Sequence, residues 1–164
     1  MAEQHHHYAV TVTWTGNTGS GTAKFGAYEH RYDIAAPGKP TIAGSSDPAF
    51  RGFAECWNPE DLLVASLTAC HKLWYLYLCS QAGVVVTDYV DRAEGTMVGG
   101  IERGGRFTSV TLRPEVTITP GSDPDVARRL HAEAHAKCFI ANSMNFPVEN
   151  DPVIKVEGRV GEAA

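Results

Sequence analysis

The fold is read from one stretch, Asn58-Pro59-Glu60-Asp61-Leu62-Leu63-Val64-Ala65-Ser66-Leu67-Thr68-Ala69-Cys70-His71-Lys72-Leu73-Trp74-Tyr75-Leu76-Tyr77-Leu78-Cys79. Asn58 is a capping residue, Pro59 suits the first helical position, and Glu60 and Asp61 put negative charge at the positive end of the helix dipole. Leu62, Leu63, Leu67, Cys70, Leu73, Trp74 and Leu78 then recur near the 3.6-residue period, while Ala65 and Ala69 permit close packing. Only His71 and Lys72 interrupt the second half, so most of this helix is expected to be buried. Its middle carries a thiol, Cys70.

The flanking sequence sets the class. Upstream, Tyr8 to Trp14 alternates as a strand and stops at the turn cluster Thr15 to Gly21; further strands are expected at about Ala23 to Tyr28 and His30 to Ile34. Ala36 to Gly52, rich in Pro, Gly, Ser and Asp, reads as a loop and carries Arg51. Downstream, Gly83 ends the helix. Strands follow from Val84 to about Val98 and from Phe107 to Thr119, across a turn at Gly99 to Gly105. Ser122-Asp123-Pro124-Asp125 opens a second helix reaching about Asn142, with Val126, Leu130, Ala134, Cys138 and Ala141 along one face; Val153 to Val156 is a last strand. The order β-β-β-α-β-β-α-β predicts an α+β fold rather than a doubly wound sheet. No repeat or linker divides it, so a single domain over 1–164 is expected.

Composition narrows the function. The 164 residues are 43% hydrophobic and 20% charged, with a formal net charge of −5. An acidic chain without a basic run is not built for nucleic acid. Lys72 breaks the longest apolar run short of the ~18 residues of a membrane span, so no membrane partner is expected. Met1 to Gln4 and the histidines His5 to His7 lack the apolar core of a signal peptide. Four cysteines, Cys56, Cys70, Cys79 and Cys138, then belong to a reducing, cytoplasmic compartment, where thiol chemistry or plain burial is expected rather than a disulfide framework.

Cys70 and Cys138 fall one on each helix. Helices packed side by side would bring these sulfurs together as a nucleophilic thiolate and a resolving thiol, which peroxide converts to a sulfenic acid and then a disulfide. The plainer reading is two inert core cysteines. A reactive thiolate needs a cation, and Arg51 is the candidate, held by a bidentate pair with Glu60. Glu60 lies ten residues from Cys70 on one helix, roughly 15 Å at the standard rise. Within one site it would therefore come from a partner subunit, making the protein an obligate dimer. Otherwise Glu60 is a dipole residue and Arg51 a solvated loop charge. Cys79 reads as core and Cys56 as a loop thiol. His131, His135 and Cys138 share a helix face and His71 adjoins Cys70, but without CxxC or HExxH spacing no metal site is expected. No Gly-rich phosphate loop is present and no cofactor is expected.

At these residues the chain resembles the OsmC/Ohr family, the osmotically inducible protein C and organic hydroperoxide resistance proteins. The likeness rests on Asn58-Pro59-Glu60-Asp61-Leu62-Leu63 followed by Ala69-Cys70, on Ala134-His135-Ala136-Lys137-Cys138, on Asn142-Ser143-Met144-Asn145, and on Trp14-Thr15-Gly16 before a Gly-rich turn. It implies an intertwined homodimer and a thiol-dependent peroxidase acting on organic, and also hydrogen, peroxides, recycled by a dithiol reductant. Carried over, Cys70 is the peroxidatic cysteine, Cys138 the resolving one, and Glu60 the holder of the catalytic arginine. Arg51 stands about where the OsmC branch has that arginine, whereas the Ohr-type position between Asn17 and Gly21 has none. The chain is thus closer to the OsmC branch. Trp74, Phe139 and Phe146 are expected to line an apolar substrate pocket. The alternative is a non-catalytic relative that binds a small hydrophobic molecule or serves in a stress response.

Overall fold

The computed structural model describes residues 4–158. They fall into two compact units, one through Leu62 and one from Leu63 onward.

In the first unit β1 (Thr11–Trp14), β2 (Tyr32–Ala35) and β3 (Ile42–Gly44) form an antiparallel meander in that order, with Trp14 opposite Tyr32 and Tyr32 opposite Gly44. The strand expected at Ala23 to Tyr28 is absent, and those residues are turns. Polar side chains hold the segment as a loop instead. Asn17 Oδ1 accepts the amides of Gly19 and Gly21, Thr18 donates to the Ala27 carbonyl at 2.6 Å, and Trp14 Nε1 donates to the Glu29 carbonyl at 2.9 Å. Such side-chain bonds offer the backbone an alternative to a ladder. The stretch expected as loop contains β3 and a 3-10 turn, Pro48–Phe50, capped by Asp47.

The helix α1 (Pro59–Gln81) begins in the last residues of the first unit and runs through the second. Asn58 caps it as expected, its Oδ1 accepting the Asp61 amide at 2.7 Å. At the other end Gly83 adopts φ +73°, and the Val84 amide reaches back to the Cys79 carbonyl at 3.0 Å. This is a Schellman stop, open to a residue without a Cβ.

The two long strands expected next are present, but each is bent. They divide into β4 (Val86–Asp91) and β5 (Glu94–Gly100), and into β6 (Gly104–Leu112) and β7 (Pro114–Ile118). At the bend the Asp91 carboxylate accepts the Arg113 amide at 2.7 Å, and Pro114 has no amide to give the ladder. α2 (Pro124–Lys137) starts on its Asp123 cap. It ends five residues earlier than expected, because Cys138 is extended (ψ 110°) and a 3-10 turn, Ala141–Ser143, follows. β8 (Val148–Asn150) and β9 (Val153–Val156) run parallel to β6 and β7, giving sheets ordered β5-β6-β8 and β4-β7-β9. The fold is α+β, as the sequence predicts.

Tyr75, Leu78 and Cys79 of α1 pack with Val84, Val116 and Ile118 of the strands and Ala127 and Ala134 of α2; Leu67 packs with Val110 and Leu112. By length and hydropathy α1 is long and apolar enough to cross a bilayer, contrary to the expectation that Lys72 prevents it. Its buried residues are enclosed by the strands and α2, the packing of a core helix.

The two helix ends give a stability test. Asn58→Ala and Gly83→Ala are each expected to cost about 1 kcal/mol in urea unfolding, the first by orphaning the Asp61 amide and the second by forcing alanine into the left-handed region.

Candidate active site

Two buried seams face each other in the second unit. On α1 the enclosed side chains are Leu67, His71, Tyr75, Leu78 and Cys79; on α2 they are Ala127, His131 and Ala134, with Cys138 immediately after the helix. Both seams keep the helical spacing, yet each contains a histidine, at 0% and 1% exposure. His71 Nε2 and His131 Nδ1 are 3.0 Å apart, and the ring planes differ by only 8°. The two imidazoles thus meet edge to edge in an N–H···N hydrogen bond. Tyr75, one turn after His71, stacks its ring on His131 at 3.8 Å.

Burial, reinforced by His135, pushes the His71 pKa down to about 4; burial, with His71 and Arg128 nearby, pushes His131 down to about 3. Both rings are therefore neutral at pH 7. Sequence reasoning placed neither on a buried seam, because a polarity scale counts histidine as solvated. The available signal was position: His71 stands four residues from Leu67 and four from Tyr75.

The thiols lie beside this pair. Cys138 is 1% exposed, and its sulfur accepts the Ala141 amide at 3.4 Å. Burial pushes its pKa up to about 11, and the neighbouring Cys70 thiol works in the same direction. The structure thus places Cys70 and Cys138 beside each other, both as free thiols. Cys70 is half-buried and opens on an apolar cavity of about 550 Å³, lined with Leu73, Trp74, Tyr77, Lys137 and Phe139. Trp74 meets Phe139 edge to face at 5.6 Å, and Lys137 Nζ lies 5.8 Å from the centre of the Trp74 ring. Phe146, expected in this pocket, is not part of it; it packs on Phe107 at 5.6 Å in the core under β6 and β8. Leu73, Tyr77 and Lys137 take the remaining wall, and the sequence reading had assigned none of them to it.

The other expected site residues belong to the first unit. Arg51 is the one described non-glycine residue with positive φ, +68°, a strained conformation of the kind found at functional sites. Its guanidinium lies over the Phe25 ring at 4.8 Å and against Gly26. Glu60 is half-buried in the first turn of α1, where after burial it is the main cause raising the Tyr32 pKa. Among the described residues Arg51 and Glu60 of one chain form no ion pair. Cys56 instead has a guanidinium neighbour, Arg31, whose Nη1 is 3.3 Å from the sulfur while Nη2 pairs with Glu55 at 2.8 Å. Cys79 is buried beside Tyr75, and burial raises its pKa. No group of three or more His, Cys, Asp or Glu among the described residues is placed to hold a metal ion.

A neighbouring thiol pair at an apolar cavity, on an α+β scaffold with two helices and split sheets, defines a class of small thiol proteins. The chain belongs to the OsmC-like protein family, whose model matches residues 52–151. Among solved structures, an OsmC-like protein of unknown function from Vibrio cholerae superposes with a TM-score of 0.82 at 26% identity, covering 91% of this chain and all of the other. An organic hydroperoxide resistance protein OsmC from Legionella pneumophila gives 0.63 at 16% identity, with 94% and 100% covered. One from Elizabethkingia anophelis gives 0.65 at 17%, with 93% and 99% covered. No curated protein sequence matches the chain.

The histidine pair has a consequence for stability. A lowered histidine pKa means the unfolded chain binds more protons below about pH 6.5, so stability is full above that pH and is lost as the pH falls toward about 4. Urea unfolding at pH 7 and pH 4 is expected to differ by about 3 kcal/mol for each of the two histidines. A double His71→Leu/His131→Leu variant should lose most of that difference.

Proposed function

We propose that the protein is a thiol-dependent peroxidase that reduces organic hydroperoxides, and hydrogen peroxide less well. The single observation that supports this reading is the placing of Cys70 beside Cys138 where Cys70 opens on an apolar cavity. The half-buried Cys70 acts as nucleophile. Its thiolate attacks the distal peroxide oxygen, the O–O bond breaks, and the alcohol leaves with a proton, so Cys70 becomes a sulfenic acid. Cys138, kept as a thiol by its raised pKa, then attacks the Cys70 sulfur. The hydroxyl departs as water, taking the Cys138 proton, and a disulfide remains. An external dithiol returns both sulfurs to thiols.

The apolar walls, Leu73, Trp74, Tyr77 and Phe139, favour peroxides with an organic group over hydrogen peroxide. Leu73, Tyr77 and Phe139 are 64%, 55% and 69% exposed on the isolated chain. Large apolar side chains left this open suit an interface, and we assign it to a homodimer. In that dimer the thiolate is steadied by Arg51, held by Glu60 of the partner subunit.

Cumene hydroperoxide added to the reduced protein should produce a Cys70–Cys138 disulfide, mapped by mass spectrometry, faster than hydrogen peroxide does. Cys70→Ser should lower kcat/KM roughly a thousandfold or more, as loss of a nucleophile does. Cys138→Ser should stop at a sulfenic acid that dimedone traps. Thiols that stay reduced under excess peroxide would sink the reading in favour of a binding protein.

A further inference from the structure

The His71–His131 contact has no part in the peroxide chemistry above, yet it is a buried polar pair in an otherwise apolar layer. On the same buried seams stand Leu67, Tyr75 and Leu78 of α1 and Ala127 and Ala134 of α2, with Tyr75 stacked on His131. It is the only hydrogen bond between side chains of α1 and α2 among the described residues. Two neutral imidazoles share four nitrogens and two protons. One N–H serves the bond between the rings, which leaves one buried N–H and one buried lone pair, and both His71 Nδ1 and His131 Nε2 indeed lack a partner. Unsatisfied buried groups cost stability, and an apolar pair of similar volume would avoid that cost. A polar pair placed like this is best understood as fixing register, as single buried polar residues do between packed helices.

Register is what the thiols need. Cys70 immediately precedes His71 on α1, and Cys138 follows His131 by seven residues, two turns further along the same seam. Apolar side chains tolerate sliding and rotation, because burial has no direction. An N–H···N bond with near-coplanar rings does not, and the Tyr75 ring stacked on His131 removes the remaining freedom of that imidazole. Among the described residues no anionic group acts on the pair to favour its charged form. Arg128 and His135 on α2 act against protonation, and Tyr89 on β4, beyond Tyr75, is neutral at pH 7.

We propose that His71 and His131 are positioning residues for the thiol pair, their hydrogen bond setting the helix register that holds Cys70 beside Cys138. The proposal rests on Cys70 and Cys138 being the reacting thiols of the reading above, and not on peroxide being their oxidant.

The test therefore uses a disulfide reagent, 4,4′-dithiodipyridine, on the reduced full chain with Cys56→Ser and Cys79→Ala. One thiol attacks the reagent, loses its proton, forms a mixed disulfide and releases one thiopyridone. The other thiol then loses its proton and attacks the cysteine sulfur of that mixed disulfide, forms the Cys70–Cys138 disulfide and releases a second thiopyridone, so the second phase reads how well the thiols are aligned. His71→Gln/His131→Asn keeps a side-chain amide near each bonding nitrogen and should hold the second phase within about twofold of the parent. His71→Leu/His131→Leu removes the link while keeping apolar volume, and should slow that phase about tenfold or more through lost preorganisation. A second apolar pair, His71→Leu/His131→Phe, retains a ring on Tyr75 and serves if the first does not fold, folding being checked by circular dichroism. A folded apolar pair that closes as fast as the parent overturns the proposal. So does a Gln/Asn pair that closes as slowly as the apolar ones. If peroxide turnover is absent while these differences hold, the peroxidase reading fails and the positioning role stands.

Discussion

The second unit depends on enclosing one helix that is apolar on almost every side. One side of α1 is taken from water, where strands and a second helix close over Leu67, His71, Tyr75 and Leu78. That seam decides where everything else goes. β7 and α2 pack against Tyr75 and Leu78, and Leu112 and Val110 of β6 pack against Leu67. The bent hairpin of β4 to β7 serves the same end, since its two halves cover different lengths of the helix. Cys70, just off the seam, is left at the border between this core and the open cavity.

Much of the scaffold was legible because it is announced by local chemistry. The caps Asn58 and Asp123, the prolines at the helix starts and Gly83 at the stop act within a few residues and are written in the sequence. The bends were only half legible: Pro114 stood in the sequence as a break in the second strand, whereas Arg92 and Ala93 are compatible with a strand and the Asp91 bond to a distant amide has no local signal. The turns at Ala23 to Tyr28 were misread for a related reason. Their alternating pattern is outweighed by Asn17 and Thr18 bonds that no periodicity records.

The site divides in the same way. Paired thiols on two helices could be proposed from spacing, because burial and period place Cys70 and Cys138 on adjoining faces. Which face of α1 is enclosed could not, as Leu73 and Tyr77 are more apolar than His71 but face outward. A helix apolar all round carries no marker of its buried side. The answer lies in what α2 offers, and α2 offers His131, a partner only histidine or another polar group can use. The missed cavity residues Leu73 and Tyr77 follow from that one rotation of the helix.

Cys138 ends α2 without being helical. Its amide reaches the His135 carbonyl, its own carbonyl accepts the Asn142 amide, and its backbone is extended between the helix and a 3-10 turn. In the proposed cycle this makes the second sulfur a hinge point: it can swing toward its partner by torsion at a junction, with the regular hydrogen bonds of α2 left in place. In that cycle the change between reduced and cross-linked forms would fall at the junction after α2.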